Sequence, residues 1–228
     1  MFSIADNIQN VRKRIEKASE VSKWPDPVQL LAVTKTRDAK MLQLAKQAGL
    51  SSFGENYLNE ALIKQEELAG VEGLTWHFIG PIQSNKTKAI AENFSWVHSV
   101  DRLKIAQRLS QQRPNELDPL NICIQVNIDE EESKSGVLLD DVEALALAIA
   151  SMPQLKLRGL MCIPQAQKDI GLLKKSFVKM KVHFDALKQY HPQIDTLSMG
   201  MSGDFELAIE CGSTLVRVGT ALFGQRFS

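Results

Sequence analysis

The residues most able to do chemistry in this chain start with a lysine. Lys35 closes the apolar run Leu30-Leu31-Ala32-Val33-Thr34-Lys35, and two roles fit such a position. The side chain can snorkel to water from the end of a buried strand. Alternatively it sits in a dry mouth, where desolvation disfavours the ammonium form and the neutral amine attacks an aldehyde. Two glycine-bearing runs near the C-terminus supply a second ingredient. Gly200 and Gly203 in Leu197-Ser198-Met199-Gly200-Met201-Ser202-Gly203-Asp204, and Gly219 in Arg217-Val218-Gly219-Thr220, let backbone N–H groups approach a dianion closely. The hydroxyls of Ser202 and Thr220 add donors. One such run alone, as in Ser202-Gly203-Asp204, reads better as a turn and a helix cap, but two at the two expected strand ends favour phosphate. Arg217 interrupts an apolar run and so points into the interior or its mouth. It either pairs with a buried glutamate or offers a permanently protonated donor to a ring nitrogen. His77 and His98 also lie in apolar runs, where each alone reads as a core histidine. Asp101 and Asp204 read as helix caps, and Met161, Met199 and Met201 as packing. The only tyrosines, Tyr57 and Tyr190, fall in no acid–base constellation. The sequence has no metal-ligand spacing, Walker loop or nucleophile elbow.

Short apolar runs alternate with longer segments of helical period, the pattern of a parallel sheet with crossover helices. The runs are Leu30-Leu31-Ala32-Val33, Ser52-Phe53-Gly54, Trp76-His77-Phe78-Ile79 and Trp96-Val97-His98-Ser99-Val100. They continue with Ile122-Cys123-Ile124-Gln125-Val126-Asn127, Leu157-Arg158-Gly159-Leu160-Met161, Thr196-Leu197-Ser198-Met199 and Thr214-Leu215-Val216-Arg217-Val218. They begin roughly 20 to 40 residues apart, the spacing of a βα unit. Eight units use the whole chain, which predicts an α/β fold, one (β/α)8 barrel domain over residues 1–228. The alternative is an open doubly wound sheet, since the second run is barely apolar and the seventh carries polar residues. In such a barrel, function sits at the C-terminal strand ends, and Lys35, the glycine runs and Arg217 all fall there. Residues 129–136 form the most polar connection, a loop within the domain.

Composition excludes several classes. Hydrophobic residues make up 44% and charged residues 24%, with 27 basic against 27 acidic side chains. There is no global basic field for nucleic acid and no polybasic stretch for a membrane surface. No run of about 18 apolar residues spans a bilayer. The first 20 residues read as a soluble amphipathic helix without signal-peptide character. Cys123, Cys162 and Cys211 are odd in number and far apart, resembling buried thiols of a reducing cytoplasmic setting.

Several motifs together resemble one family. They are Ala32-Val33-Thr34-Lys35, Phe53-Gly54-Glu55-Asn56-Tyr57, Trp76-His77-Phe78-Ile79-Gly80 continuing to Gln83-Ser84-Asn85-Lys86, Ser133-Lys134-Ser135-Gly136, Arg158-Gly159-Leu160-Met161, and the two glycine runs. In order and over nearly the whole chain they resemble the pyridoxal phosphate homeostasis protein family. The resemblance implies a barrel like the N-terminal domain of alanine racemase, with pyridoxal 5′-phosphate as cofactor and no metal. It implies Lys35 as the Schiff-base lysine, Arg217 facing the pyridine nitrogen, and Ser202, Gly219 and Thr220 on the phosphate. Asn56, His77, Ser198 and Met199 would line the ring pocket. Cys162 after Met161 and Val137 after the Ser-Gly turn are conservative departures.

The implied function is a monomeric cytoplasmic carrier that binds the reactive aldehyde reversibly and releases it to pyridoxal phosphate-dependent apoenzymes, without turnover. Its main rival is an amino-acid racemase of alanine racemase type. Such enzymes add a second, β-rich domain whose tyrosine supplies the opposing base, and this chain ends ten residues after Val218. A racemase needs proton donors on both faces of a carbanion, and only Lys35 presents itself. A class I aldolase using Lys35 on a sugar phosphate, and a pure interaction module, are further alternatives.

Overall fold

Strands and helices alternate throughout the computed structural model, which describes residues 3–24, 26–131, 134–165 and 169–225. After helix α1 (Ile4–Val21) come β1 (Gln29–Val33), α2 (Ala39–Gln47), β2 (Ser52–Glu55), α3 (Leu58–Glu67), β3 (Thr75–Phe78), α4 (Thr87–Asn93), β4 (Trp96–Val100) and α5 (Leu103–Gln112). The second half runs β5 (Leu120–Val126), α6 (Val142–Ala150), β6 (Leu155–Cys162), α7 (Ile170–Tyr190), β7 (Thr196–Met201), α8 (Phe205–Glu210), β8 (Leu215–Val218) and α9 (Thr220–Phe223). Each strand pairs in parallel with the next, and β8 returns to β1 with Leu31 opposite Arg217. The sheet is closed. The eight-stranded barrel expected from the periodicity forms, and the doubly wound alternative is excluded.

The barely apolar second strand forms because Phe53 is fully buried and the strand pairs along its length, Phe53 with Trp76 and Gly54 with His77. Residues alternate across each strand. On β1, Ala32 faces outward into a cluster with Phe53, Val216 and Val218 beneath the helices, while Leu31 and Val33 face inward with Ile79 and Leu215. The inner apolar group is small, so much of the barrel interior is left to polar side chains. Gly159 makes the tightest approach between strands. Its φ is +150°, and a Cβ there would lie 1.9 Å from the Thr196 carbonyl oxygen, so β6 and β7 come together only with glycine at this place.

Helix α1 starts with a capping box in which the Ser3 hydroxyl accepts from the Asp6 N–H and the Asp6 carboxylate accepts from the Ser3 N–H. It buries Ile8, Val11, Ile15 and Ala18 at helical spacing and packs against α2, α8 and α9. Because α9 is a single turn, α1 completes the helical ring across the β8–β1 seam. Asn7 bonds the Leu222 carbonyl at 2.9 Å, and Arg14 lies over the Phe205 ring and pairs with Glu206. Asp101 does not cap α5 as expected. Arg102 holds the N-cap position, and the Asp101 carboxylate is drawn to the Arg102 guanidinium instead. In the polar loop, Asn127 bonds the Glu131 carbonyl and N–H; Glu132 and Ser133 lie outside the described residues. Among the described residues, no helix is long and apolar enough to cross a membrane, and no group of three or more potential ligands could hold a metal.

Candidate functional site

At the C-terminal end of the strands the barrel opens into a cavity of about 300 Å³. Its walls come from four places. From β1 and the turn after it come Val33, Lys35 and Arg37; from β2 and β3 come Asn56 and Ile79; Ile163 follows β6. The loops after β7 and β8 add Met201, Ser202, Gly203, Gly219 and Thr220, with Arg217 rising from below. Lys35, Asn56, Ser202, Arg217, Gly219 and Thr220, singled out from sequence, therefore meet in one place. Lys35 and Arg217 converge because their strands are the two partners at the closing seam.

His77, Ser198 and Met199 are not on this wall. Met199 faces outward into the core between sheet and helices, as alternation along β7 requires once Ser198 faces in. Ser198 and His77 belong to a buried hydrogen-bonded chain beneath the cavity. Arg217 Nη1 donates to the Ser198 hydroxyl at 2.7 Å and its carbonyl at 2.8 Å, and Nη2 donates to the Cys162 carbonyl at 2.9 Å. The Ser198 hydroxyl lies 3.1 Å from His98 Nδ1, and His98 Nε2 lies 3.0 Å from His77 Nδ1. Burial pushes His77 down to about 3, and burial, His77 and the Arg217 charge hold His98 well below its ordinary value. Both rings are neutral. Because Arg217 claims the Ser198 oxygen, the serine hydrogen is left for His98, and the dipoles of the chain all point away from the guanidinium. Arg217 forms no salt bridge to a carboxylate among the described residues, so the buried-glutamate alternative is overturned. Burial lowers its pKa, partly offset by nearby Cys162 and Asp204, and the guanidinium keeps its charge.

The two glycine loops are tied together by Ser202, whose hydroxyl accepts from the N–H groups of Gly219 and Ala221 at 3.3 Å each. Around Gly203 a Cβ would meet nothing within 4 Å, so the main chain there is open, whereas at Gly219 it would sit 3.1 Å from the Val33 carbonyl. Asp204 stands at the N-cap of α8 but turns its carboxylate back to the Met201 N–H at 2.6 Å; burial raises its pKa. Asn56 is pinned from behind, since a Cβ at Gly80 would overlap its carbonyl oxygen at 2.1 Å. Its side-chain Oδ1 is buried and has no partner. The wall thus offers an amine, a guanidinium, hydroxyl and amide donors, and a waiting amide. That set fits a small carbonyl compound bearing an anionic group.

Arg37, Ile79 and Ile163 were not singled out from sequence, because nothing in their local pattern separates them from ordinary surface or core residues. The three cysteines are free and buried. Burial raises the thiols of Cys123 and Cys162 to about 12, which leaves them inert.

Comparison with known proteins places the chain in a family. Residues 3–227 match the family described as alanine racemase, N-terminal domain. A Pseudomonas aeruginosa protein named pyridoxal phosphate homeostasis protein is 54% identical over 99% of this chain and 97% of its own length. The structure of PipY from Synechococcus elongatus PCC7942 with pyridoxal phosphate bound superposes with a TM-score of 0.85 at 34% identity, covering 97% of this chain and all of PipY. Alanine racemase from Corynebacterium glutamicum shares the fold at a TM-score of 0.67 and 17% identity, with 95% of this chain covering 62% of the racemase. The chain belongs to the alanine racemase N-terminal domain family and, within it, to the pyridoxal phosphate homeostasis proteins.

Proposed function

We propose that this chain is a cytoplasmic carrier that holds pyridoxal 5′-phosphate as a Schiff base on Lys35 and yields it to apoenzymes, acting as a single barrel domain and a monomer. One observation carries the reading: Lys35, Arg217 and the Ser202–Gly219–Thr220 cradle share one cavity. PipY, at 34% identity, is a structure with this cofactor bound. When bound, the group supplies an aldehyde for capture and a pyridine ring able to withdraw electrons. Lys35 would hold the aldehyde carbon, and Ser202, Gly219 and Thr220 the phosphate. Asn56 Oδ1, buried without a partner, would gain one. Arg217 does not release a proton at working pH, so a ring nitrogen facing it stays an unprotonated acceptor and the ring a weaker electron sink.

The carrier reading is favoured over a racemase by the composition of the wall. Apart from Lys35, the described lining residues include no tyrosine, histidine, cysteine or carboxylate that could serve the opposite face of a carbanion. Buried free thiols are consistent with a reducing compartment.

The test is the visible absorption spectrum of the protein with pyridoxal phosphate, repeated on Lys35→Ala and with L-alanine added. The reading requires a yellow band that the mutant lacks, that persists with alanine, and that yields no D-alanine. Formation of D-alanine returns the chain to the racemases. A protein that stays colourless with added cofactor sinks the proposal and directs attention to sugar phosphates.

A further inference from the structure

The backbone around Lys35 is unusual on the side facing away from the cavity. Thr36 has φ +63°, a left-handed conformation that is an outlier for a β-branched residue. It occupies the third position of a tight turn closed by the Arg37 N–H on the Thr34 carbonyl at 3.0 Å, a place where glycine fits without strain. Something must hold it there. The Thr36 N–H donates to Glu60 Oε1 at 2.5 Å. Lys64 Nζ donates to the Thr34 carbonyl at 2.7 Å, to Glu55 Oε1 at 2.7 Å and to Glu60 Oε1. The Thr34 hydroxyl donates to Glu55 Oε1 at 2.6 Å. Lys64 and Glu60 from α3 therefore grip the main chain on the two sides of Lys35, and Glu55 from β2 holds Lys64 and the Thr34 hydroxyl.

This cluster lies outside the barrel wall. The side chains of Glu55 and Lys64 are 0% and 4% exposed, and none of the three lines the cavity. Burial raises the Glu55 carboxyl, partly offset by Lys64, and its Oε2 has no partner. A buried ionic cluster is a weak source of stability, since desolvation offsets its attraction. What it does secure is geometry: a residue in a sparsely populated backbone region persists only where its surroundings over-determine it, and such residues gather at functional sites.

We infer that Glu55, Glu60 and Lys64 are positioning residues for Lys35, clamping a strained turn so that its amine enters the cavity. The inference rests on the reading that Lys35 is the attachment point. The clamp acts through backbone, so its loss should appear in cofactor capture and should depend on the residue at position 36.

The experiment is a double-mutant cycle on the full chain, reading the yellow band during titration with pyridoxal phosphate, with thermal melting of each variant as a check on folding. Glu60, at 27% side-chain exposure, is the safest member to remove. Glu60→Ala should weaken capture about tenfold, the scale set by one strained residue losing its support. In a Thr36→Gly background the same change should cost less than about twofold, because glycine takes the left-handed turn unaided. Equal losses in both backgrounds, or none in either, would overturn the clamp while leaving Lys35 as the attachment point. A wild-type chain that never develops the band overturns both readings. The rescue by glycine is the decisive signature, since a plain Glu60–Lys64 contribution to folding is blind to residue 36.

Discussion

The barrel holds an arginine at each end, and the two are treated differently. At the N-terminal end Arg158 is saturated. Its Nε and Nη2 meet both oxygens of Asp195, Nη1 reaches Asn121 Oδ1 at 2.8 Å, and the guanidinium lies 4.5 Å from the Trp96 ring centroid. Burial pushes the Asp195 carboxyl up, but hydrogen bonds from Arg158 and Thr196 and the Arg158 charge outweigh this and hold it below the ordinary range. At the C-terminal end Arg217 meets only a hydroxyl and two backbone carbonyls, all neutral. One guanidinium is neutralised by a carboxylate at the floor; the other has only neutral partners beneath the mouth. Residue type does not separate these two arginines, but the charge of their partners does.

The largest expected effect comes from removing the unneutralised charge. Arg217→Met should weaken pyridoxal phosphate binding about 100-fold, the scale of a lost charge-assisted hydrogen bond, measured by absorbance titration. A change under threefold breaks the contrast, because it would make Arg217 a structural residue like its counterpart. Arg158→Met should do the opposite, costing about 2 kcal/mol in urea denaturation while leaving cofactor affinity unchanged. That figure lies between exposed and buried ion pairs, since the Arg158 and Asp195 side chains are 19% and 52% exposed.

A smaller effect sharpens the picture of the chain under Arg217. His77 and His98 are neutral when folded, with depressed pKa values, so below about 6.5 the unfolded chain binds protons that the folded chain refuses. The histidines' contribution to stability is full above pH 6.5 and falls as pH drops toward about 3, the folded value for His77. Each histidine should contribute a slope of about 1.4 kcal/mol per pH unit in that window. Urea midpoints between pH 7 and pH 5 should show it, and His77→Gln should roughly halve it. A flat profile in the wild type would mean that the pair protonates in the folded protein.

Much of this was legible in the sequence. The eight strands follow from apolar runs at βα spacing, and Lys35 and Arg217 are conspicuous because a charge in an apolar strand must face somewhere. Other features are set by distance in space. Arg158 and Asp195 are separated by all of α7, and their pairing depends on strand register. His77 and His98 each looked like a solitary core histidine, and only the adjacency of β3 and β4 makes them a pair. Ser198 and Met199 are neighbours in sequence, yet alternation sends one inward under Arg217 and the other into the outer core. The Glu60–Lys64 spacing is an ordinary helical pair, and nothing local says that it reaches the turn beside Lys35. Asp101 misled because an aspartate before a helix usually caps, whereas here an adjacent arginine competes for it.

The β8–β1 seam has a consequence for how the protein is made. The strands that carry Arg217 and Lys35 come from opposite ends of the chain, and α1 fastens the same junction from outside. Pairing over so long a separation is slow and comes late, because loop-closure entropy must be met before the contacts form. On a ribosome the ring cannot shut until β8 has emerged. The cavity therefore comes into being at the moment the fold completes, and a ligand bridging the two strands stabilises that final closure by mass action.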